Sequence, residues 1–150
     1  MNRRCRILAC GSPDGGDDAA ALDALQLLPP AVALRASLED VRQLSAEQLL
    51  GDPPGSVRLV VDCVAGVGPG EVVDLPLREL PALERRLRPA SSHALSIGQA
   101  VALADRLGGI GPGDRFIGIG GAAFGLGQPK SRAVEAGLPG LVARIEGLVP

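Results

Sequence analysis

Three side chains in this sequence could share a cation: Asp18, Asp62 and His93, the chain's only histidine. Two carboxylates and an imidazole form a hard-to-borderline oxygen and nitrogen set that suits nickel or zinc better than soft copper. With three protein ligands, coordination positions stay open for water or for groups from a partner. Asp14, Asp17 and Lys130 are the other polar residues of the same loops able to bind or catalyse. Each member also has a plainer role. Asp17 reads as the N-cap of the first helix, and Asp18 beside it favours the helix dipole. Asp62 interrupts an apolar strand near its end, where it reaches solvent or caps a loop N–H. His93, in Pro89-Ala90-Ser91-Ser92-His93, suits a surface or capping position. The case rests on the set, not on one member.

Competing chemistries fit less well. Gly11, Gly15 and Gly16 do not spell G-x-G-x-x-G, and three carboxylates crowd the helix N-terminus where a phosphate would sit. Gly125 to Ser131 resembles the tail of a phosphate loop but carries Pro129 where the cradling glycine belongs. Cys10 and Cys63 fall in apolar strands, where a thiol behaves as a small hydrophobe. No G-x-S-x-G elbow is present.

These residues need elements to hold them. Cys5 to Cys10 reads as a buried strand running into the turn cluster Gly11-Ser12-Pro13-Asp14-Gly15-Gly16. Leu22, Leu25 and Leu28 then recur at helical spacing up to Pro29-Pro30. Ala31 to Ala36 reads as a second strand and Leu38 to Leu50 as a helix with Leu38, Val41, Leu44 and Leu49 on its apolar face. Val57 to Val64, β-branched and nearly all apolar, has the look of a central strand covered on both faces. Glu71 to Leu75 suggests a short strand, Leu77 to Leu87 an exposed Arg-rich helix, Ser96 to Leu107 an amphipathic helix and Arg115 to Gly120 a last buried strand. Ser131 to Val149 keeps helical spacing, with Gly137 and Pro139 expected to bend or split it. Strands alternating with helices predict one α/β domain spanning residues 1–150: a three-layer sandwich with a mostly parallel twisted sheet and helices on both faces. Ligands of such sheets gather beyond the carboxyl ends of the strands, which nominates loops 11–18, 62–70, 88–95 and 120–131.

Composition narrows the partners. Fifteen basic residues against 17 acidic ones give a net charge of -2, with no basic excess for phosphates, so neither nucleic acid nor an anionic membrane is an expected partner. Phe116 and Phe124 are the only aromatics, too few for base-stacking platforms. The apolar run Ile7 to Cys10 is shorter than a secretory core of ~7–15 residues, and no stretch approaches the roughly 18–20 needed to cross a bilayer. Three cysteines without a C-x-x-C pair fit a reducing cytoplasm.

The order of these segments resembles the maturation endopeptidases of nickel-iron hydrogenases. Ile7-Leu8-Ala9-Cys10-Gly11-Ser12 followed by Gly16-Asp17-Asp18 matches the family's strand, its Gly-Asn turn and the acidic pair that opens the first helix. Val60-Val61-Asp62 and Gly68-Pro69-Gly70 match its central strand end, and Ser91-Ser92-His93 its Ser-x-His segment before a helix. Gly118-Ile119, Ser131 and Leu138-Pro139 match the last strand and the C-terminal helix. The resemblance implies an endopeptidase that removes a C-terminal extension from the hydrogenase large-subunit precursor after nickel insertion. It implies nickel carried by the substrate, no permanently bound cofactor, and Asp18, Asp62 and His93 as the residues that dock on that metal. Ser12 departs from the usual Asn, and Gly120-Gly121-Ala122-Ala123 replaces the Gln-Pro and acidic residues often found there. A non-catalytic nickel-checking or assembly-binding protein on the same fold is the alternative.

Overall fold

Val57–Val64 is the middle strand of a five-stranded sheet, as its apolar run predicts. A computed structural model describes residues 5–87 and 92–150, with the backbone alone across 92–96. The strands are β1 (Cys5–Cys10), β2 (Ala36–Arg42), β3 (Val57–Val64), β4 (Val72–Pro76) and β5 (Arg115–Gly120), in the order β2-β1-β3-β5-β4. Every pairing is parallel except that of edge strand β4 with β5. The described helices are α1 (Ala20–Leu27), α2 (Pro30–Ala33), α3 (Leu80–Leu87), α4 (Ser92–Arg106) and α5 (Arg132–Leu148). None is long and apolar enough to cross a membrane.

Strand alternation sorts the core into two layers. Ile7, Leu59, Val61, Ile117 and Ile119 pack beneath α1 and α5, where Leu22, Leu138, Leu141 and Ile145 close the layer. Leu8, Val60, Val64 and Phe116 face the other way, onto Leu80 of α3 and Ile97, Val101 and Ala104 of α4. Asp62 lies between Val60 and Val64 in this alternation, so it belongs to the α3 and α4 side.

Four local expectations are corrected. Pro30 starts the single helical turn α2, not a strand, and β2 occupies Ala36–Arg42, where a helix is predicted. The spacing of Leu38, Val41, Leu44 and Leu49 imitates a helix, yet it is shared among an edge strand, a loop and the 3-10 turn Ala46–Leu49. An edge strand can leave Leu38 37% exposed, which blurs its period-two signal. The Leu77–Leu87 segment is helical but not simply exposed, since Leu77, Leu80 and Glu84 are buried. Finally, α5 is not split at Gly137 and Pro139 but continues through both, with Leu138, Leu141 and Ile145 buried.

The amino edge of the sheet is tied by charge. Arg58, 3% exposed, donates to Asp114, Asp52 and the carbonyls of Leu49 and Gly109, which uses every guanidinium N–H. A cavity of about 320 Å³ opens there between turns 51–56 and 108–111, at the opposite edge from the nominated loops.

Candidate functional site

The strand order reverses between β1 and β3, because the chain leaves β1 for β2 on one side and returns to β3 on the other. Crevices at such a switch point, beyond the carboxyl ends, receive ligands in open α/β sheets. Asp18 and Asp62 flank that crevice. In the parallel β1/β3 register Ala9 stands beside Val61, so Asp62 lies one residue past the last pair. Asp18 follows the β1 turn and is half-buried, its Oδ2 accepting the Ser12 amide at 3.0 Å. Gly11 makes this approach possible: its φ is +122°, and a Cβ there would stand 2.0 Å from the Asp18 carbonyl oxygen.

Asp62 does not reach solvent as its strand-end position suggests. It is 4% exposed and accepts the Cys63 amide at 2.8 Å through Oδ1. Burial, then the charge of Asp18, then that of Glu84 push its carboxyl well above the usual carboxylate range, against the Cys63 amide. Asp18 is therefore close enough to act on Asp62 electrostatically. Two carboxylates converging on one crevice are relieved by a cation, which neutralises the repulsion and replaces lost hydration.

Asp17 is not an N-cap. The 3-10 turn Gly16–Ala19 precedes α1, its N-cap is Gly15, and no side chain caps it. Asp17 is instead fully buried and reaches across to the loop after β5. Its carboxylate accepts the amides of Ala122 at 2.7 Å, Ala123 at 2.8 Å and Ser131 at 2.6 Å, and the Ser131 hydroxyl at 2.9 Å. Burial opposes ionisation, but these donors outweigh it and hold the carboxyl below its ordinary range. The Asp17 amide in turn donates to the Ala123 carbonyl at 2.6 Å. Asp17 and Asp18 thus divide the work: one fastens loop 120–131, the other faces the crevice.

Ser131 also caps α5, accepting the Val134 amide through Oγ at 3.3 Å. Ser131→Ala should cost about 0.5–2 kcal/mol in urea unfolding, the usual range for a lost cap. An unchanged midpoint would show that the cap contributes nothing.

Sequence reasoning missed Glu84. It lies on α3, 8% exposed, with Oε1 accepting the Gly98 amide of α4 at 3.2 Å. Burial pushes it from 4.5 up to about 7, against the Gly98 amide. The unfolded chain releases this proton near pH 4.5, whereas the fold retains it to about pH 7. The group's contribution to stability is therefore full below pH 4.5 and lost as pH rises through about 7. Glu84→Gln should match wild type in acid melts and gain on it up to neutrality, by on the order of 1–3 kcal/mol. A difference independent of pH would refute the assignment. The only sequence signal was a carboxylate on the apolar side of a Pro-bounded helix.

His93 falls in the first turn of α4, not in a loop ahead of it. Its side chain, and residues 88–91 of the nominated loop, lie outside the described residues. Among the described residues, which leave out the His93 side chain, no group of three or more His, Cys, Asp or Glu is arranged to hold a metal ion. Lys130 is drawn into ion pairs with Asp23 and Glu135, and Asp14 is exposed, its carbonyl accepting the Gly127 amide at 2.7 Å. Burial pushes the thiols of Cys5, Cys10 and Cys63 up, Cys5 to about 11, consistent with structural rather than nucleophilic cysteines.

No family model and no curated protein sequence matches the chain. Solved structures do. The NiFe hydrogenase maturation protease HybD from Thermococcus kodakarensis is 25% identical over 98% of this chain and 99% of its own, with a TM-score of 0.72. The hydrogenase maturating endopeptidase HybD from Escherichia coli is 20% identical over 95% and 89% of the two chains, with a TM-score of 0.74. An endopeptidase from Escherichia coli known from a solution structure is 18% identical over 97% and 91%, with a TM-score of 0.78.

Proposed function

We propose that the chain is a hydrogenase maturation protease, which removes the C-terminal extension of a nickel-iron hydrogenase large-subunit precursor after nickel has been inserted. The observation that carries the reading is the convergence of Asp18 and Asp62 on the crevice between β1 and β3. In this reading the nickel is part of the substrate. Asp18, Asp62 and His93 bind it as added ligands, which checks that the precursor is loaded and sets the scissile bond beside the metal. His93 enters on its sequence position and on the α4 first turn that carries it.

Each residue has its own task. Asp62, on the floor of the crevice, offers a carboxylate that water solvates poorly and a divalent ion solvates well. Asp18 supplies the second negative charge from the rim. Asp17 stays behind them and keeps loop 120–131 at the edge of the site, so the altered Gly120-Gly121-Ala122-Ala123 segment is held in one place. A metal that resides in the substrate also explains a donor set left short of a full coordination shell.

The test is a mass measurement. Nickel-loaded precursor incubated with the protein should lose its C-terminal extension, and metal-free precursor should stay whole. Equal shortening of both would refute nickel recognition. Nickel-dependent complex formation without shortening would favour the non-catalytic checking protein instead. Stoichiometric zinc surviving dialysis against a chelator would favour an ordinary metallohydrolase, in which a resident metal activates water.

A further inference from the structure

We infer that Glu84 and Gly98 form a buried clasp between α3 and α4 that positions the first turn of α4, and with it His93, relative to Asp62. This rests on the proposed roles of Asp62 and His93 and extends them to a residue pair outside the metal-reading set.

The two positions specify each other. Glu84 Oε1 takes the Gly98 amide at 3.2 Å, while a Cβ at Gly98 would stand 1.7 Å from Glu84 Oε2 and 2.6 Å from its Cδ. Only a residue without a side chain leaves the space that the carboxyl fills. The Gly98 amide lies inside the helix, where its ordinary partner is the carbonyl four residues back. A second acceptor from α3 pulls on that same amide, so the turn that follows His93 is fixed from outside the helix. Plain packing does not ask for this arrangement. An alanine at 98 and an aliphatic at 84 would supply better helix propensity and more apolar burial.

The clasp also sits on the right side of the sheet. Alternation along β3 puts Asp62 with Val60 and Val64 on the face covered by α3 and α4, and the charge of Glu84 acts on Asp62. Glu84 therefore ties α4, whose first turn holds His93, on the same face of the sheet as Asp62 near the end of β3. It touches neither metal nor scissile bond, and acts through α4 as a positioning residue.

The test compares Glu84→Gln, Glu84→Leu and Gly98→Ala for processing of nickel-loaded precursor, for thermal stability, and for the NMR signals of the single histidine. Glutamine keeps the acceptor, leucine keeps the bulk without it, and alanine at 98 displaces it. Glu84→Leu and Gly98→Ala should lower processing about tenfold or more, the scale of lost supporting contacts around a metal site, while Glu84→Gln retains most of it. The His93 imidazole signals should shift in the first two variants and stay near wild type in the third. Because Glu84→Leu is expected to fold at least as stably as wild type, its loss of processing would not be a loss of fold. Wild-type rates and unmoved His93 signals in Glu84→Leu and Gly98→Ala would overturn the clasp and leave the function intact. If wild type itself leaves the precursor whole, the proposed function fails. The clasp is then judged on the histidine signals alone, which support it if they move as described and overturn it if they do not.

Discussion

Asp62→Asn should abolish precursor processing while raising the melting temperature. The side chain is 4% exposed, and burial, reinforced by the charges of Asp18 and Glu84, pushes its carboxyl up. An unfolded chain ionises this group near pH 3.8, so its stabilising contribution is complete below that pH and lost as the solution is made more alkaline. Asparagine has the same shape, keeps an oxygen for the Cys63 amide and has no proton to lose. The variant should therefore equal wild type near pH 4 and exceed it at neutrality, by a few degrees for each ~1 kcal/mol in a domain of this size. Processing should fall at least about 100-fold, because a neutral carboxamide is a poor substitute for an anionic ligand to a divalent ion. His93→Ala should give the same loss of processing. Processing within tenfold of wild type in either variant, under nickel-loaded conditions, would remove them from metal recognition. A lower melting temperature for Asp62→Asn would instead make the carboxylate a structural group.

What the sequence revealed follows from how each element is solvated. Strands β1, β3 and β5 are buried on both faces, so their apolar runs start and stop where the strands do. Strand β2 pairs on one side only, and its Glu39 is engaged by Arg6 at 2.8 Å, so charge replaces alternation there and the period misleads. The placement of Asp18 and Asp62 beside the β1/β3 crevice was legible because both follow or close a parallel strand at its carboxyl end, where an α/β sheet forms its crevices, whatever the residue spacing. Glu84 was not legible, since its partner is a backbone amide on another helix, a contact invisible to side-chain patterns. Asp17 was misread for a related reason. A carboxylate just ahead of a helix has a ready local role, and nothing near it in sequence reveals that its donors lie more than a hundred residues away.

That distance gives the second large effect. Asp17→Ala should destabilise the protein by roughly 2–4 kcal/mol, more than a lost helix cap, because it strands the Ala122, Ala123 and Ser131 amides and the Ser131 hydroxyl at once. Some of those donors will recover water as the loop loosens, which keeps the cost below the sum of the separate bonds. Asparagine should fall between: an oxygen in the Oδ2 place keeps the Ala122 and Ala123 amides and the Ser131 hydroxyl, but its amide group then meets the Ser131 amide head-on. Donor contacts hold the Asp17 carboxyl below its usual range, so its contribution is present above pH 3.8 and lost as the pH falls through the lowered value. Wild type should therefore lose its advantage over Asp17→Ala in acid, the reverse of the Asp62 pattern. Processing should fall too, since loop 120–131 would no longer be held against the turn that carries Asp18. The two effects separate at low temperature, where the variant is folded. A variant that folds there and cleaves at the wild-type rate would show that the loop beyond β5 takes no part in holding the precursor, and would confine Asp17 to stability alone.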